Sequence, residues 1–232
     1  MSRFHSAGPD RAAFQGSAAF AVPRNGSGRR GQRIGLMGGS FNPAHVAHRH
    51  VALLALKRLK LDEIWWLVAP QNPLKSASEM ASISRRLAAA RQVAANHPKI
   101  RVRDVESRLG TAYTVDTIET LVRRGNGTRF VWIMGADNLV QFRHWQRWSR
   151  IFHLVSIAVF DRPTYSLRAL SSLAAQRFAR FRLPVSSAAA LADRVAPAWI
   201  YFHTRLDPTS ATEIRRAEAT ARNKAQRKTI LG

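Results

Sequence analysis

Two histidines three residues apart, His45 and His48, stand behind a glycine pair. The string is Gly38-Gly39-Ser40-Phe41-Asn42-Pro43-Ala44-His45-Val46-Ala47-His48. At that spacing both imidazoles share one helix face near its start. A helix start offers unpaired N–H groups and the positive end of a dipole, which suits phosphate. Paired glycines let the backbone turn sharply and approach a ligand closely. Imidazole nitrogens can donate hydrogen bonds to phosphoryl oxygens. A histidine pair could also bind metal, and Gly-Gly alone is a common turn. The full string points much more specifically to a nucleotide phosphate. Pro43 is expected to fix the entry into the helix.

Further along, Gly135 permits close approach of a nucleotide, and Asp137 can accept hydrogen bonds from ribose hydroxyls. Trp145 can stack on a flat ring, with a cation–π component of about 1–2 kcal/mol if the ring is cationic. The alternative is that Trp145 and Trp148, three apart, share a helix face and belong to the core; for Trp148 the core reading is preferred. Ser210 and Thr212 place hydroxyls at a helix start, and Arg215 follows one turn on, a set that could grip a triphosphate. The same segment reads as a plain capping box closed by Glu213. The chain contains no Gly-x-x-x-x-Gly-Lys-Ser/Thr of P-loop proteins, and the Gly38-to-His48 string is not the Gly-x-Gly-x-x-Gly of dinucleotide-binding dehydrogenases.

These residues need elements to hold them. Buried strands are predicted at Ile34 to Met37, Ile64 to Val68, Phe130 to Met134 and Leu154 to Phe160, an alternating strand at Ile100 to Val105 and a further strand at Trp199 to Phe202. Helical patterns lie between them: after Val46, over Ser84 to Asn96 with Pro98 as the stop, and over Thr117 to Arg124 capped by Thr114 or Asp116. Two more cover Tyr165 to Phe181 and Ala211 to Lys224. This alternation predicts an α/β fold, a Rossmann-like doubly wound parallel sheet with helices on both faces. Ligands of such sheets bind beyond the carboxyl ends of the strands, where the motifs fall. Residues 33–232 read as a single domain. Residues 1–32, rich in Gly, Ser, Ala and Arg, read as a disordered extension.

The 232 residues are 46% hydrophobic, enough for one sizeable domain. With no cysteine there is no disulfide and no thiolate nucleophile or ligand, which is consistent with a cytoplasmic setting. The longest apolar run, around Val51 to Leu56, is far short of a membrane span. The net charge of +23 could serve nucleic-acid binding, attract polyanionic substrates, or reflect an Arg-biased composition. Arginines are spread through every segment. That favours composition, with substrate attraction as a contributor, and argues against nucleic acid as a partner.

The first string resembles the phosphate-binding signature of the nucleotidyltransferases, with Asn42 where Asp is usual and Ala47 where Gly is usual. Later segments, in the same order, resemble nicotinate-nucleotide adenylyltransferase. Pro70-Gln71-Asn72-Pro73-Leu74-Lys75 resembles its substrate loop, in which Lys75 contacts a phosphate or is simply an exposed loop lysine. Ala112-Tyr113-Thr114-Val115-Asp116-Thr117 resembles the loop that meets the nicotinate carboxylate through its backbone, which implies that role for Thr114 and Val115. The segment from Met134 to Trp148 implies stacking by Trp145, with the Gln146 backbone nearby. Phe160-Asp161-Arg162-Pro163 resembles a family strand end with Arg162 toward the site. Asp207 to Arg215 resembles the C-terminal signature Ile-Ser-Ser-Thr-x-Ile-Arg, with Ser210, Thr212, Ile214 and Arg215 matching.

The resemblance implies transfer of AMP from ATP to nicotinate mononucleotide. His45, His48 and Arg215 would be the catalytic residues, and Mg²⁺ would arrive with ATP, with no metal ligands on the protein. Gly38, Gly39, Ser40, Phe41, Asn42, Gly135, Asp137, Ser210 and Thr212 would hold ATP. Lys75, Thr114, Val115, Trp145, Gln146 and Arg162 would hold the mononucleotide. Nicotinamide mononucleotide or another phosphorylated acceptor remains the alternative substrate, and a basic nucleic-acid-binding protein the alternative of another class.

Overall fold

A computed structural model of the chain describes residues 31–70, 80–162 and 165–203. Its centre is a parallel sheet of six strands: β1 (Arg33–Gly39), β2 (Glu63–Val68), β3 (Ile100–Arg103), β4 (Arg129–Gly135), β5 (Ser156–Phe160) and β6 (Trp199–Phe202). Their spatial order is β3-β2-β1-β4-β5-β6. The chain winds outward from β1 in one direction, then returns and winds outward in the other, as the alternation predicts.

Strands β2, β4, β5 and β6 read largely as apolar runs because both faces of the sheet are covered, whereas the edge strand β3 alternates and exposes Arg101. Successive residues serve opposite cores. Leu36, Trp65, Trp132, Met134, Val159 and Trp199 pack on one side; Met37, Trp66, Ile133, Phe160 and Ile200 pack on the other. The first side is closed by α3 (Val105–Leu109), α4 (Thr114–Arg124), α5 (Ala136–Gln141), α6 (Trp148–Leu154), α7 (Ser166–Leu170) and α8 (Leu173–Arg177). The second is closed by α1 (Val46–Arg58), α2 (Ile83–Ala94) and a 3₁₀ stretch, Val185–Asp193.

Several boundaries differ from the sequence reading. Helix α2 ends before Pro98. Ala95 takes a left-handed conformation at φ 50°, and its amide returns to the Arg91 and Gln92 carbonyls. β3 stops at Arg103, because Val105 turns into the core as the first residue of α3. Leu154 closes α6 and does not open β5. Helix α4 starts at Thr114, after an extended Tyr113, with no side-chain cap from Thr114 or Asp116. The helix expected over Tyr165 to Phe181 is broken at two serines. The Ser171 hydroxyl bonds back to the Leu167 carbonyl, and Ser172 caps α8 by accepting from the Ala175 amide. Local side-chain competition of this kind interrupts a helix.

Candidate active site

Strands β1 and β4 are adjacent in the sheet but leave it in different company. Their pairing runs from Arg33 with Arg129 to Met37 with Ile133. Beyond that point Gly38 and Gly39 pair only with Leu67 and Val68 of β2. Met134 and Gly135 pair with Val159 and Phe160 of β5. The two halves of the sheet part here, which opens the crevice expected where strand order reverses.

The first string fills one bank of that crevice. Gly38 has no room for a side chain, since a Cβ would lie 2.4 Å from the Trp132 ring. Phe41 adopts a left-handed φ of 46° and turns its ring inward, stacked 5.3 Å from Trp66 and tilted against His48 at 4.8 Å. Its ring is core, so only its backbone can face a ligand. Pro43 is not the first helical residue. It lies two residues before the N-cap, His45, and follows a cis peptide from Asn42.

His45 and His48 sit 4.0 Å apart, ring to ring, as the spacing predicts. The His45 amide donates to His48 Nδ1 at 3.2 Å, so the proton of a neutral His48 resides on Nε2. Burial, then the charges of His45 and Arg162, lower the His48 pKa from 6.5 to about 3. At neutral pH this imidazole is therefore an uncharged donor through Nε2–H.

Arg162, at the end of β5, forms the opposite bank. Its Nε lies 3.3 Å from Asp137 Oδ1. Asp137 folds back so tightly over the N-cap of α5 that a Cβ on Gly135 would meet its Oδ1 at 2.4 Å. The glycine thus leaves space for the carboxylate. Asp161 anchors this bank: it accepts from the Arg162 amide, the Ser166 hydroxyl and the Tyr201 hydroxyl, each at 2.7 Å. That hydrogen bond adds to burial in raising the Tyr201 pKa, burial being the larger cause.

A second group forms beside the first. The Asp116 and Thr117 amides return to the Tyr113 carbonyl, whereas those of Thr114 and Val115 have no acceptor among the described residues. They are the free N–H groups of an eleven-residue helix. The Val115 side chain is fully buried, which leaves only its backbone available. Trp145 is half buried, with near-perpendicular contacts to Trp132 at 6.1 Å and Phe142 at 5.0 Å. It does not share a helix with Trp148: it ends a 3₁₀ turn, and Arg147 in a left-handed conformation starts α6. Trp148 packs on Phe142, Phe152 and Phe178, as core. Arg147 pairs with Asp116 and Arg150 with Glu119 at 2.9 Å, so the exposed Gln146 is tied to the start of α4. Trp132, touching both Gly38 and Trp145, joins the two groups.

Lys75, Ser210, Thr212 and Arg215 lie outside the described residues, as do the expected helix at 211–224 and residues 1–30. The sequence reading missed the Asp116–Arg147 pair, which spans 31 residues and has no local signal. It also missed Arg86, which is 2% exposed. A signal existed there: Arg86 falls on one stripe of α2 with the buried Ala90 and Ala94.

The cytidylyltransferase-like family matches residues 36–217. A probable nicotinate-nucleotide adenylyltransferase of a Bradyrhizobium species is 53% identical over 188 residues, covering 81% of this chain and 97% of the relative. A relative of the same description from a Caulobacter species is 51% identical, covering 79% of this chain and 96% of its own length. The fold is shared with a solved structure of Plasmodium falciparum nicotinic acid mononucleotide adenylyltransferase complexed with NaAD. That match has a TM-score of 0.60 at 17% identity and covers 80% of this chain and 83% of the other. A crevice at the β1/β4 divide lined by paired histidines, together with half-identical relatives matched almost end to end, places this chain in the cytidylyltransferase-like family, among the nicotinate-nucleotide adenylyltransferases.

Proposed function

We propose that this enzyme transfers the AMP moiety of ATP to nicotinate mononucleotide, giving nicotinate adenine dinucleotide and pyrophosphate in NAD biosynthesis. One observation carries the reading at the site: the His45 amide directs the proton of His48 to Nε2, and burial, followed by the charges of His45 and Arg162, keeps that ring neutral beside the switch point. A phosphate oxygen of the mononucleotide attacks the α-phosphorus in line, and the bond to the pyrophosphate oxygen breaks. The attacking phosphate oxygen is already ionised at neutral pH, so no general base is needed. Catalysis is then positioning and charge stabilisation.

His45 and His48 hold the α-phosphoryl oxygens against the loop of Gly38, Gly39, Ser40, Phe41 and Asn42. Gly135 and Asp137 receive the nucleoside. Ser210, Thr212 and Arg215 take the β- and γ-phosphates. The Thr114 and Val115 amides, at the α4 start, hold the nicotinate carboxylate. Trp145 stacks on the pyridine ring, with Gln146 beside it. Lys75 and Arg162 contact the mononucleotide phosphate, and the ion pair puts Arg162 beside Asp137 as well. Mg²⁺ is expected to arrive with ATP, whose phosphates supply its oxygen ligands and whose charge it neutralises. The proposed compartment is the cytoplasm.

Pyrophosphate release from Mg-ATP with one mononucleotide at a time tests the proposal. A strong preference for nicotinate mononucleotide over nicotinamide mononucleotide and phosphopantetheine is expected. Turnover with another acceptor alone would overturn the substrate, and no release with any of them would overturn the reaction.

A further inference from the structure

Arg86 is buried to 2% exposure on the inward face of α2, in one stripe with the buried Ala90 and Ala94 and beside the partly buried Ile83, Leu87 and Val93. Its guanidinium donates four hydrogen bonds, every one to a backbone carbonyl. Nε reaches Ala81 at 2.8 Å, Nη1 reaches Ser40 at 2.8 Å and Ala69 at 2.6 Å, and Nη2 reaches Pro70 at 2.7 Å. Three segments thereby converge on one side chain: the loop after β1, the end of β2 and the approach to α2. The first and third are tied a second time, because the Ala81 amide donates to Asn42 Oδ1 at 3.3 Å. Among the described residues no carboxylate pairs with Arg86. Burying an arginine is costly unless its donors are matched, and a small apolar residue would continue the alanine stripe at lower cost. The Ser40 carbonyl that it holds lies inside the Gly38-to-His48 string. A positive charge with no acidic partner among the described residues, behind that loop, also raises the potential where a polyphosphate would dock.

We propose that Arg86 is a positioning residue for ATP: it sets the Gly-Gly-Ser loop against the end of β2 and so fixes where the phosphates lie relative to His45 and His48. This rests on the adenylyltransfer reading. Lysine keeps the charge but cannot reproduce the planar fork that reaches four carbonyls. The test compares Arg86→Lys with Val155→Ala, a buried position at the amino end of β5, using turnover, calorimetric ATP binding and thermal melts. Arg86→Lys is expected to raise KM for ATP about tenfold and lower kcat about tenfold or more, as small misplacements of reacting groups do. Val155→Ala should lower the melting temperature and leave both constants unchanged. Wild-type constants in Arg86→Lys, or equal losses in Val155→Ala, would overturn the proposal. If Arg86→Lys does not fold, Arg86→Gln takes its place, removing the charge and keeping a side-chain amide that can meet at most two of the four carbonyls. An ATP affinity weaker by about threefold is then expected, and an unchanged one overturns the proposal. Should the wild-type enzyme turn over no mononucleotide, the functional reading fails, while calorimetry of ATP binding still decides the role of Arg86.

Discussion

His48 owes its chemistry to one hydrogen bond and its burial. The His45 amide occupies Nδ1 and directs the proton to Nε2, and burial keeps the ring neutral. A neutral imidazole still donates through Nε2–H to an oxyanion. His48→Ala is expected to lower kcat about a hundredfold, the scale for losing one such donor, while the far-UV circular dichroism stays unchanged. The same ring links stability to pH. Its folded pKa lies below the unfolded value of 6.5, so its contribution is present above pH 6.5 and is lost as pH falls toward 3. Wild-type melts should therefore decline more steeply than those of the variant between pH 6.5 and 4. Glu106 in α3 behaves in the opposite sense. Burial raises its pKa from 4.5 to about 7, so its contribution is present below pH 4.5 and is lost as pH rises through 7. Glu106→Gln should melt a few degrees higher than the wild type at pH 8, with the difference shrinking at pH 5. Equal shifts at both pH values would show that this carboxyl does not titrate with folding.

Between elements, the decisive contacts are those that hold helix starts in place. Helix α4 carries the free Thr114 and Val115 amides, and α6 begins just after Trp145 and Gln146. The Asp116–Arg147 pair sets one against the other. Both side chains are partly exposed, so the pair contributes about 0.2–1 kcal/mol. Asp116→Asn should accordingly raise KM for the mononucleotide about two- to fivefold and leave KM for ATP nearly constant in steady-state assays. A matching rise for ATP would mean that α4 supports the whole site. On the other face, the stripe of Arg86, Ala90 and Ala94 was visible in the helical period. Its purpose was not, because Ser40, Ala69 and Pro70 are brought to Arg86 only by the sheet.

For the whole molecule, the net charge of +23 gains a use in steering two polyanionic substrates. kcat/KM should fall by about tenfold between low salt and roughly 0.5 M, while kcat changes little, because screening acts on encounter. A salt-independent kcat/KM would leave composition as the sole account of the charge. At this scale the strand order β3-β2-β1-β4-β5-β6 governs position. It puts Gly39 and Gly135, the ends of β1 and β4, on either side of one crevice.

The sequence by itself determined the features that depend on near neighbours. Strand and helix alternation, the histidine pair on one turn, and the Gly38-to-His48 string all follow from periods of a few residues. Boundaries were read less well where Ala95, Val105, Ser171 and Ser172 answered to local backbone geometry or to the core. Tertiary structure alone decided which strands would be neighbours. It also decided that Trp132 fills the space beside Gly38 and touches Trp145, that Arg162 reaches Asp137, and that Arg86 gathers three segments. Each of those contacts joins residues far apart in the chain, and no local periodicity encodes a partner that only the closing of the sheet brings within reach.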